Sequence, residues 1–292
     1  MGRMERFAST GSSPGVSALG AAGTVLLVAL SAFAVTAGAE KVLVIGWVAF
    51  AAMALGAWLG ARADETDPHR LVWGYGLASG AMITSAAMFL VPQAIGLGIE
   101  AGAPQLGGVG IAAGVVLGYS SHTIGHRLTH LDVSFDVSTA EITAHALSAG
   151  LIIGLVYGSM PTLGLLLGLA IVSHKGPAGY AAARRLVREG RSPAMLLLPA
   201  SGVGLAALAV TLFSFPTDPT FRAVVFGFAA GIFLHVAMDF LPHCETGSEV
   251  HDAVTRTGHD HDHSRLDALR QQAVLSTAAG GLAVAAAWLL LQ

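Results

Sequence analysis

Three histidines carry the most specific chemistry in this sequence: His145, His174 and His235. Each sits inside a long apolar run, where a polar side chain is costly and tends to be functional. Neutral imidazoles suit Zn²⁺ and other late divalent metals, whereas Mg²⁺ or Ca²⁺ would ask for oxygen ligands. His145 and His174 flank a short break at Ser159-Met160: one lies 13 residues before Gly158, the other 13 residues after Pro161. At ~1.5 Å rise per residue, both rings lie roughly 20 Å below one hairpin tip. His235 lies 14 residues after Phe221, which by the same rise is about 21 Å below the same surface. Glu141 precedes His145 by four residues and Asp239 follows His235 by four. On helices each carboxylate then falls on its histidine's face, one turn further in. The metal ligands expected are therefore His145, His174 and His235 in one layer and Glu141 and Asp239 in the next. Lys175 and Ser148 stand near as outer partners, with Lys175 a candidate charge substitute. The competing reading is a structural polar cluster, with hydrogen bonds between helices or a lysine–carboxylate pair and no metal.

Further histidines lie in two inner segments, 121–137 and 243–270. His122, His126 and His130 follow i, i+4, i+8 in YSSHTIGHRLTHLD, a single stripe on a helix. His243 opens the second segment, and His259, His261 and His263 form the tract HDHDH, a composition that captures metals with little fixed geometry. Together they read as a relay on the cytoplasmic side. A solvated turn and a plain acidic linker remain the alternatives.

Positioning such residues takes membrane helices. The chain has 292 residues, 54% hydrophobic and 11% charged, a balance that excludes an ordinary soluble domain. No basic patch calls for nucleic acid, and the lone Cys244 forms no internal disulfide. Nine apolar stretches are predicted to span: 16–38, 42–61, 71–98, 104–120, 138–158, 161–182, 194–214, 221–242 and 271–291. The fourth is short and glycine-rich. With the N-terminus inside, the inner segments hold Arg3, Arg6, Arg62, Arg70, Arg127, Arg184, Arg185, Arg188, Arg191, Arg256, Arg265 and Arg270. The outer ones hold Lys41 and Arg222. That asymmetry follows the positive-inside rule and puts the C-terminus outside. The fold expected is all-α, a polytopic membrane bundle of eight helices over 42–292 plus an extra helix within 1–41. A cleaved signal sequence ending at Ala37-Gly38-Ala39 is the alternative for that first stretch. Pro177 should break the sixth span and free a carbonyl near Ser173, and Pro92 should kink the third.

With these residues in view, the chain resembles the ZIP (ZRT/IRT-like) family of divalent-metal transporters over roughly 42–292. The nearest likeness is His174-Lys175-Gly176-Pro177, similar to that family's His, Glu or Lys, spacer, Pro segment, in the form with lysine. His145 and Gly150 match its His-Asn-x-x-Asp-Gly segment, but Ala149 replaces the Asp. GIFLHVAMDFLPH is similar to its Gly-x-Phe-Leu-Tyr…Asp…Pro-Glu segment, with His235 in place of Tyr and one residue fewer before Pro242. Pro92-Gln93 is similar to an earlier Pro-Glu. The resemblance implies a cell-membrane secondary transporter, not an enzyme, carrying a zinc-like divalent ion into the cytoplasm without ATP or an organic cofactor. Its partners would be the ion and the bilayer, with no nucleic acid; a homodimer is left open. Many family members hold two metals bridged by carboxylates. Here Ala149, Lys175 and Ala178 stand where acidic ligands often do, so an ammonium in place of the second cation would leave one metal. A membrane metal sensor that does not transport is the alternative function. An intramembrane hydrolase is a third, and no HExxH pattern supports it.

Overall fold

A computed structural model describes residues 14–63, 67–128, 137–160, 164–188, 190–211, 213, 215–242 and 263–290. Among the described residues every regular element is helical. The helices are α1 (Pro14–Thr36), α2 (Glu40–Ala61), α3 (Pro68–Ser85), α4 (Val91–Glu100), α5 (Gln105–Leu128) and α6 (Val137–Ser159). They continue as α7 (Leu165–Val172), α8 (Lys175–Arg188), α9 (Leu197–Val210), α10 (Pro219–Asp239) and α11 (His263–Leu290). A π-helical segment, Ala86–Leu90, joins α3 to α4, and a 3₁₀ turn, Pro193–Leu196, leads into α9.

Seven helical rods are long and apolar enough to cross a membrane, so the chain is a multi-pass membrane bundle. The two remaining spans fall short for different reasons. The fourth, within α5, has an apolar part of only Gln105–Ser120. The sixth is cut into α7 and α8 at Ser173-His174. The expected kink at Pro92 takes the form of the π segment one turn upstream, where the Val91 N–H bonds to Ala86 O. A proline ring offers no N–H and crowds the preceding turn, and a widened turn relieves both.

Apolar helices gain little from leaving lipid, so close van der Waals packing must hold them together. Glycines supply that closeness. Gly110 and Gly114 of α5 lie against Gly227 and Gly231 of α10, with no room for a Cβ. Gly56 and Gly60 of α2 lie on the backbone of α8 at Gly176 and Tyr180, and Gly150 and Gly154 of α6 lie on that of α9. Gly76 and Gly80 of α3 meet α11 at Ser276 and Thr277. Ile45, Met82, Leu90, Ile153, Phe226 and Phe233 fill the centre. The first helix packs along α9, where Leu27 is fully buried beside Gly204.

Candidate functional site

The hairpin of α6 and α7–α8 is tied at its tip by two side chains. The Tyr157 hydroxyl donates to Gly164 O at 2.8 Å and accepts from the Gly168 N–H at 2.9 Å. A buried phenol needs such partners, and here they hook the last turn of α6 to the first turn of α7. Arg222, near the start of α10, donates from Nη2 to Ser159 O at 2.6 Å. A cation at the C-terminus of α6 meets its partial negative charge. This bond also sets a common level. The start of α10 is fixed to the end of α6, so counting along each helix from that level brings His235 and His145 to similar depth.

The break in the sixth span follows from Pro177. In α8 it occupies the third position, within the first turn, where its missing N–H costs nothing. The first α-helical bond of α8 runs from Ala178 N to His174 O at 2.9 Å. His174 thus stands at the N-terminal boundary of a half-helix, deep in the bundle and fully buried. Broken backbone of this kind is tolerated at membrane depth where protein or a cavity surrounds it.

Across the hairpin, His145 Nε2 and His174 Nε2 are 3.4 Å apart, with ring planes tilted by 53°. An N–H···N bond of that length is long, since such bonds centre on about 3 Å. Two nitrogens held by one tetrahedral Zn²⁺ at ~2.0–2.1 Å would themselves lie about 3.3–3.4 Å apart. The Nδ1 atom of His145 is buried without a hydrogen-bond partner. Two imidazoles are therefore aimed at one point, with a separation that suits a shared cation better than a shared proton.

His235 lies near enough to act electrostatically on His145 but is not grouped with the pair as a third ligand. It is buried on α10, with Nε2 3.3 Å from Asp239 Oδ2, its ring edge-on to Tyr119 and its flank against Gly118. Phe233 of α10 meets the His174 ring edge-on, at 5.5 Å and 89°. Depth is shared, but azimuth is not: two residues turn a helix by roughly 200°, so Phe233 faces the hairpin while His235 faces α5. Among the described residues no three His, Cys, Asp or Glu side chains are grouped to hold a metal. The expected three-imidazole layer is thus a close pair, with His235 nearby but turned to Asp239 rather than completing a three-ligand group.

The other expected residues divide as follows. Lys175, the first residue of α8, is 1% exposed, so its amino group does not snorkel to a surface, and like His235 it acts electrostatically on His145. Ser148 lies on the exposed side of α6, its hydroxyl donating to Ala144 O at 2.8 Å. A serine in a helix readily bonds its own i−4 carbonyl in this way. Glu141 is placed on α6 one turn further from the hairpin tip than His145, and His122 and His126 on α5, but their side chains lie outside the described residues. So do the side chain of His263 and the whole of His130, His243, His259 and His261.

Three positioning residues were not legible as such. Tyr157 could have been suspected as a phenol buried near a hairpin tip, and Arg222 as a charge one residue into a span. Gly118, which leaves room for the His235 ring, is the third step of Gly110-x-x-x-Gly114-x-x-x-Gly118. Compared with protein-family models and with curated proteins, the chain finds no match.

Proposed function

We propose that the chain is a secondary carrier that moves Zn²⁺-like divalent ions toward the cytoplasm through the His145–His174 pair. The observation that carries this is the 3.4 Å between the two Nε2 atoms, near the edge of a zinc coordination tetrahedron of about 3.3–3.4 Å. The site has the setting of a carrier: mid-span, between helices, at a discontinuous helix end. The bare His145 Nδ1 fits a passing ion. Tightly held metals have ligand histidines anchored by an outer acceptor, whose loss weakens binding about 10–100-fold. From the pair, the ion would step inward to the His235–Asp239 couple, whose carboxylate is 39% exposed, and then to Glu141 and the inner histidine segments. The resemblance to ZIP transporters at His174-Lys175-Gly176-Pro177 and His145 supports the same direction, as does the arginine bias toward inner segments, which puts the N-terminus inside.

The absence of an acidic residue at Ala149 favours a second reading, a membrane protein that binds metal without moving it. Purified protein in sealed vesicles separates the two. The carrier should load the vesicles with radioactive zinc in a saturable way, and cadmium or cobalt should compete. Stoichiometric binding with no uptake beyond protein-free vesicles would leave only the binder.

A further inference from the structure

The rotation of α10 decides what the histidine pair meets. Gly227, Gly231 and His235 recur every four residues, so they lie on one face of the helix. That face is pinned to α5. Gly227 and Gly231 rest on its backbone at Gly107, Gly110, Ile111 and Gly114, and the His235 ring fills the space left at Gly118. A seam this close fixes the rotation of α10 and keeps His235 turned to α5. Phe233 is thereby set against His174: it is 1% exposed, and its ring centroid lies 5.5 Å from that of His174. His145 stands off His174 by nearly the same amount, 5.6 Å. A benzene ring thus stands beside His174 at the spacing of another imidazole, but it has no lone pair to give.

We propose that Phe233 is a positioning residue that holds the site to two imidazoles, so that the ion passes with exchangeable oxygen ligands, water above all, in its remaining positions. The inference deepens the carrier reading and rests on it. Tetrahedral zinc closed off by protein ligands is structural, whereas a site with open positions exchanges what it holds. Two imidazoles leave the ion half open. Its retained waters also spare it part of the desolvation that burial imposes on a charge. A carrier needs such looseness, because an ion in a closed shell is slow to leave. Phe233 acts on the pair in a second way. Edge-on contact is a favoured geometry for aromatic rings, and at 89° the phenyl ring braces His174, whose Nε2 lies 3.4 Å from that of His145.

Zinc-edge X-ray absorption and equilibrium dialysis test this on the full-length protein in detergent, loaded with substoichiometric zinc. The unmodified protein should show two imidazoles, with oxygen as the other neighbours. Phe233→His puts a smaller ring with a lone pair at the same place. It should show a third imidazole and load vesicles more slowly. It should also bind zinc at least about tenfold more tightly, since even an outer partner of a ligand is worth about 10–100-fold. Phe233→Leu, apolar but without a ring, should keep two imidazoles and bind a few-fold more weakly, because His174 loses its brace. Three imidazoles in the unmodified protein would overturn the proposal, and that count needs no variant to fold. So would two imidazoles and unchanged affinity in Phe233→His, or binding by Phe233→Leu as tight as by Phe233→His. Two imidazoles in the unmodified protein and three in Phe233→His, with no vesicle uptake by either, would uphold the role of Phe233 and remove the carrier.

Discussion

At the scale of single residues, the paired imidazoles were the most legible feature. Counting residues from a shared break put His145 and His174 at one depth on neighbouring helices of a hairpin. Their Nε2 atoms come within 3.4 Å. For His235 the same count gave the level but not the direction, because depth along a helix says nothing of rotation about it. The ring turns instead to Gly118 and Tyr119. Removing either member of the pair should therefore cost more than removing His235. His145→Ala or His174→Ala is expected to weaken zinc binding at least about tenfold, the lower end of what loss of even an outer partner costs. The double variant should be little worse than either single one, because one imidazole alone makes no chelate. His235→Ala should leave equilibrium affinity within a few-fold of the original and slow uptake instead, since it acts at a later step. Dialysis and vesicle uptake on the same preparations check both.

At the scale of elements, nine spans were expected; among the described residues seven are rods long and apolar enough to cross a membrane, the sixth is divided between two helices, and the glycine-rich fourth is a helix with a shorter apolar part. That stretch read as weak because hydropathy rewards large apolar side chains and glycine has none. The structure supplies the reason for its composition: Gly110, Gly114 and Gly118 let α10 lie directly on α5. A larger side chain there should act through packing. Gly114→Leu forces a branched group against the backbone of α10 at Phe228 and Gly231, and overpacking of this kind costs about 1–3 kcal/mol or more. A lower melting temperature in detergent is the measurement, with Gly108→Leu as control, because Gly108 faces open space. The broken sixth span was legible through Pro177, which stops a helix one turn upstream of itself. Pro177→Ala allows α7 and α8 to join, moving His174 out of its end position. Zinc affinity is expected to fall even though every ligand remains. The knot that holds the hairpin tip, Tyr157 with Gly164 and Gly168, was hidden because its partners are backbone atoms, which no sequence pattern marks.

At the scale of the whole molecule, composition and arginine placement were enough to imply a polytopic bundle, and seven rods meet the length and hydropathy of membrane spans. Orientation can be read out with a residue the chain already has. Cys244 is the sole cysteine and lies in the 243–270 segment assigned to the inner side. In intact cells a membrane-impermeant thiol reagent should leave it unlabelled and should react only after permeabilisation; labelling of intact cells would invert the topology. What governs everything else is whether the two imidazoles of the hairpin grip one ion. X-ray absorption at the zinc edge, on the purified protein loaded with substoichiometric zinc, sees that contact directly. Two imidazole nitrogens at about 2.0–2.1 Å are expected, and both should vanish in the His145→Ala, His174→Ala double variant. A zinc shell without imidazole, or one unchanged by the double substitution, would contradict the paired-histidine carrier.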